Sequence, residues 1–82
     1  MDEAAAKQIA GKARPGNAVP TGHALRGAER RIIEISDGAG GSGPLVRDVR
    51  AWIVRFAAGV AWVELAIDEA TGNVVRVQRS RT

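Results

Sequence analysis

The chain reads as an α+β domain in which one N-terminal helix packs on a four-stranded antiparallel β-sheet. Three observations predict it. Ala6, Ile9, Ala10 and Ala13 recur at three- and four-residue spacing, the period of one helix face. Beyond residue 49 the apolar period falls to two, in runs rich in valine, isoleucine and tryptophan separated by short turn-forming segments. Both tryptophans, the only phenylalanine and seven of the nine valines lie in this last third, which concentrates the core in a β-meander.

The helix is expected over 3–14. Asp2 suits its N-cap, and Pro15-Gly16 stops it. Its stripe is mostly alanine and therefore shallow, so it must lie close against something flat, as a sheet is. Residues 16–27 are dense in turn formers, with Val19 and Leu25 as isolated apolar anchors. The first strand is expected over 30–36, a β-rich run bounded by Asp37-Gly38. Residues 38–44 carry four glycines and end in a proline, and are expected to form a mobile hairpin linker. A phosphate-binding loop would need Gly-Lys-Ser/Thr opening a helix, whereas Pro44 and Leu45 follow here.

The second and third strands are expected over 49–56 and 60–67, and the fourth over 74–79. Alternation puts Trp52, Val54 and Phe56 on one face of the second strand and Val49, Ala51 and Ile53 on the other. In the third strand Ala61, Val63, Leu65 and Ile67 form a wholly apolar face, which places the odd-numbered face under the helix. Ala57-Ala58-Gly59 suits a three-residue hairpin loop, pairing Phe56 with Val60, Val54 with Trp62 and Trp52 with Glu64. The segment 68–73 begins with an aspartate and has a glycine near its end, as a tight reversal requires.

At 82 residues the chain is a single domain, 1–82. It has no cysteine, which removes disulfides and thiolate chemistry. The net charge of +3 comes from ten arginines and two lysines interspersed with nine acids, a weak signal for polyanion binding. No apolar run approaches the roughly 20 residues a bilayer span needs, and the acidic, alanine-rich N-terminus lacks the apolar core of a secretory signal. As written the chain is expected in the cytoplasm, or outside it if it is a trimmed mature fragment.

The run from Trp62 through Ile67-Asp68-Glu69-Ala70-Thr71-Gly72-Asn73 to Val74-Val75-Arg76-Val77 resembles the closing hairpin of the PepSY domain family. In that hairpin a strand ends in Val/Ile-Asp, followed by two variable residues, Thr-Gly, one variable residue and a hydrophobic pair. The resemblance is one of motif over 52–77 and of layout over most of the chain, and the glycine-rich segment 38–44 departs from the pattern. It implies a small cystatin-like α+β module, a regulatory role that has been proposed to act on peptidases, and no catalytic residues. Asp68, Thr71 and Gly72 match the motif as turn residues.

His23, the only histidine, sits in a turn-rich connection, and Ser36, Ser42 and Ser80 lie in strand-end, loop and tail positions, so no nucleophile and base are placed together. Glu64 and Asp68 fall about 13 Å apart on one strand face at roughly 3.3 Å per residue, wider than the about 5–9.5 Å of glycosidase acid pairs. No enzyme activity, cofactor or metal is expected. The candidate site is the set Trp52, Val54, Phe56, Val60 and Trp62. Left bare by a helix on the odd face, it forms an interaction surface whose loss, on replacing both tryptophans, leaves the fold intact. Otherwise the connection 16–27 folds over it, or the helix covers the even face. The leading expectation is a non-enzymatic protein-binding or regulatory module, with a peptidase among the candidate partners. A homodimer closed through the aromatic face comes second, and nucleic-acid binding by Arg50, Arg55, Arg76, Arg79 and Arg81 with the tryptophans comes third.

Overall fold

A computed structural model describes residues 1–36 and 46–81. Along the chain it contains helix α1 (Glu3–Ala13), a short 3-10 turn (Pro15–Asn17) and strands β1 (Ala24–Ser36), β2 (Val46–Ala58), β3 (Ala61–Asp68) and β4 (Val74–Arg79). The strands form one antiparallel sheet in the order β1-β2-β3-β4, which is the expected α+β meander. The glycine-rich segment 38–44 lies outside the described residues.

Helix α1 starts after Asp2, whose extended backbone lets its carboxylate accept a 2.8 Å bond from the Ala5 N–H. That satisfies one of the donors a helix start leaves unpaired. Glu3 in the first turn and Lys12 in the last complement the helix dipole. Ala6 and Ala10 are fully buried, with Ile9 and Ala13 packed beside them. At the other end the Asn17 amide donates at 2.8 Å to the Ala13 carbonyl, and Ala18 turns the chain with a left-handed φ of 53°. Arg14 gathers the connection that follows. Its guanidinium donates to the Pro20 carbonyl at 2.8 Å and the His23 carbonyl at 2.6 Å, and it stacks 4.7 Å from the Phe56 ring centre. Val19 is buried, as its role of anchor requires, but Leu25 is not.

The β2–β3 register differs from the expected one. Ala58 pairs with Ala61, leaving the two-residue loop Gly59-Val60, with Gly59 at φ 60° as the first position of a II′-type hairpin turn requires. Phe56 therefore faces Val63, Val54 faces Leu65 and Trp52 faces Ile67. The slip from Val60 to Val63 is an odd number of positions, so it exchanges the faces of β2 relative to β3. The physical reason is burial. This register gathers Trp52, Val54, Phe56, Val63, Leu65 and Ile67 into one cluster under Ala6 and Ala10, each side chain contributing about 1.5–3 kcal/mol when fully buried. The helix thus covers the odd face of β3, as expected, but the even face of β2.

The β3–β4 reversal has the expected turn chemistry. The Asp68 N–H donates to the Asn73 carbonyl and the Gly72 N–H to the Asp68 carbonyl, both at 2.8 Å. The Asp68 carboxylate accepts from the Ala70 N–H at 2.8 Å, and Gly72 takes φ 77°. A bulge in β4 leaves Val75 unopposed, and it packs with Ile33, Val49, Ala51, Ile53 and Ala66 on the sheet face away from the helix.

Candidate functional site

The five residues expected to form one bare surface do not come together. Trp52, Val54 and Phe56 are 8%, 0% and 1% exposed beneath α1, with the Trp52 indole N–H directed at the Met1 carbonyl at 3.4 Å. Arg30 lies 4.9 Å from the Trp52 ring centre and pairs with Glu69 at 3.2 Å, closing the side of this core. Val60 is 82% exposed, but alone at the tip of the β2–β3 turn. Trp62 is half-buried on the opposite face, where it pairs across the strands with Ala57. The aromatic interaction surface is thereby corrected: its members are core, turn tip and opposite face. A homodimer through that set would have to form without Trp52, Val54 and Phe56, which are buried under α1.

The face away from the helix is lined by charge rather than bare. Its apolar strip, from Ile33 and Val49 to Ile53 and Ala66, is buried. Around it Arg31 pairs with Glu29 at 2.8 Å and Arg55 with Glu64 at 3.6 Å, and Arg55 also stacks 4.8 Å from the Trp62 ring centre. The bond to Glu29 holds the Arg31 guanidinium above its ordinary pKa. The Arg31 and Arg55 side chains are about half exposed. A hollow of about 290 Å³ between Arg26, Glu29, Arg31, Ile53, Arg55 and Glu64 opens on this face. Arg31 and Arg55 on its walls are already matched by Glu29 and Glu64.

His23 enters the architecture through its carbonyl, which Arg14 holds. Among the described residues no group of three or more His, Asp or Glu side chains is placed to hold a metal ion. No described helix is long and apolar enough to cross a membrane.

The feature the sequence reading undervalued is the outer edge of β1. That strand starts at Ala24, six residues before the expected Arg30, and it is an outer strand of the sheet, with no strand among the described residues on its far side. The direction of its backbone groups follows from one bond. The Glu69 N–H donates to the Arg50 carbonyl at 2.9 Å, so the peptide groups of Arg50 point away from β1. Arg50 is the partner of Ile32, and in an antiparallel ladder the two members of such a pair turn their peptide groups away from each other. The N–H and C=O of Ile32 therefore point out from the sheet edge, as do those of Ala28, Arg30 and Glu34. Ile32 is also 67% exposed. Glu34, two residues on, makes no ion pair among the described residues. The available signal was charge patterning: Arg26, Glu29, Arg30, Arg31 and Glu34 give the mixed charges that edge strands carry.

Comparison with protein-family models, with curated proteins and with solved structures finds no match for this chain.

Proposed function

We propose that this chain is a non-enzymatic protein-binding module that takes up an extended segment of a partner along the outer edge of β1. The observation that carries this reading is the outward direction of the backbone groups of Ala28, Arg30, Ile32 and Glu34, deduced from the Arg50–Glu69 bond. In strand addition, main-chain hydrogen bonds supply affinity and alternate side chains supply specificity. Along this edge Arg30, Ile32 and Glu34 alternate with Arg31, Ile33 and Ile35, so a bound segment meets a cation, an apolar side chain and an acid in turn on the helix side. The resemblance of the β3–β4 hairpin to PepSY domains favours a peptidase as the partner, and regulation of that peptidase as the outcome.

The test is Ile32→Pro. Proline removes an N–H and blocks strand addition, but here the N–H lost points outward, so the β1–β2 ladder keeps its bonds. Affinity capture from the native host with the wild-type chain is expected to retain a peptidase that Ile32→Pro fails to retain, with both chains equally folded by circular dichroism. Equal retention by the two chains contradicts edge capture.

A further inference from the structure

The β1 edge is complementary to itself. Its regular part is bounded on one side by a bulge between Leu25 and Gly27, where Arg26 has no partner on β2, and on the other by Ser36 at the strand end. The uninterrupted stretch from Ala28 to Ser36 has Ile32 at its middle. When two copies of this stretch run antiparallel about a two-fold axis through Ile32, Ile32 meets its own copy, Arg30 meets Glu34, Glu34 meets Arg30 and Ala28 meets Ser36. All these residues direct their peptide groups outward. The pairs are therefore the narrow, hydrogen-bonded kind, and together they exchange about ten N–H···O bonds.

Side chains favour this register over one centred on Arg30. Centring on Arg30 would set two guanidiniums face to face, and like charges directly opposite are destabilising; it would also draw the bulge at Arg26 into the ladder. Centring on Ile32 removes an exposed isoleucine from water on both copies and gives Glu34 a cation. The Arg30 side chain, 54% exposed beside Glu69, has room for that second acid.

We propose that β1 is a self-pairing interface, and that two copies join there into one continuous eight-stranded sheet with both helices on the same face. This goes beyond partner capture. The second copy occupies the edge a partner strand would use, so the dimer shields the edge and a partner must displace it.

The absence of cysteine allows a direct test with the purified full chain alone. Sedimentation equilibrium is expected to show the mass rising from 8.6 kDa toward twice that value with concentration. Ile32→Cys is expected to oxidise to a covalent dimer, because the Cα separation of about 5.5 Å in a narrow pair suits a disulfide. Glu34→Cys, whose copies lie four positions out of register, is expected to stay reduced over the same time. Glu34→Arg, which sets a second guanidinium opposite Arg30 at both ends of the pairing, is expected to weaken the dimer at least tenfold. A wild-type chain that stays monomeric to about 1 mM, cross-linking of Glu34→Cys as fast as Ile32→Cys, or a Glu34→Arg dimer of unchanged affinity each overturns the proposal. No partner enters this experiment, so its failure leaves partner capture standing, and failed capture leaves self-pairing to be read from the sedimentation.

Discussion

The two tryptophans differ in role although both lie on neighbouring strands of one hairpin. Trp52 is 8% exposed and packs under the helix with Val54 and Phe56, whereas Trp62 stands half-exposed on the other face against Arg55. Trp52→Ala is expected to cost about 3–5 kcal/mol, the usual range for deleting a buried aromatic side chain. Trp62→Ala is expected to cost at most about 1 kcal/mol, since it loses a stacked arginine at a partly solvated site. Urea unfolding of the two variants checks the contrast, and equal costs would contradict the assigned faces. Gly72 offers a second contrast. Its φ of 77° is one that L-residues rarely adopt, and a methyl group there would meet Ile9 Cδ1 at an ordinary 3.5 Å. Gly72→Ala is thus expected to lose about 1–2 kcal/mol through backbone conformation rather than through a clash, read as a lower urea midpoint at unchanged slope. The turn role of Gly72 was legible in the sequence because Asp68, Thr71 and Gly72 act within a few residues of one another. The separate roles of Trp52 and Trp62 were not, because they depend on a register that no local residue sets.

Helix α1 and strands β3 and β4 lie close to where the residue pattern puts them, since caps, stops and turn residues act locally. The β2–β3 loop shows the limit of that reading. Ala57, Ala58, Gly59, Val60 and Ala61 offer one glycine among small apolar residues and suit a loop of either two or three positions. What decides is non-local: only the two-residue loop turns Trp52, Val54 and Phe56 to the side of Val63, Leu65 and Ile67. Strand β1 illustrates a different limit. Its first half, from Ala24 to Glu29, carries glycine and charge instead of β-branched residues, and pairing with β2, with Ala28 packed on the core, holds it extended. Tertiary pairing overrides weak strand propensity here. The consequence is a longer open edge than sequence composition suggested, and with it the functional reading moves from an aromatic face to a strand edge.

At the scale of the whole molecule, the sheet has a face sealed by α1, a face lined by paired charges and, among the described residues, an outer edge at β1 that no other strand pairs. The sealed face leaves no aromatic surface for a partner, and on the charge-lined face Arg31 and Arg55 are matched by Glu29 and Glu64. The edge is where, among the described residues, outward backbone groups, an exposed isoleucine and an acid without an ion pair coincide. Residue-resolved amide hydrogen exchange in dilute and concentrated solution tests this most directly. In dilute solution the amides of Glu29, Arg31, Ile33 and Ile35, bonded to β2, are expected to be protected, while those of Ala28, Arg30, Ile32 and Glu34 exchange freely; at high concentration the second set slows at least tenfold. Protection of Ile32 and its even-numbered neighbours in dilute solution, or free exchange of them at every concentration, would contradict the account.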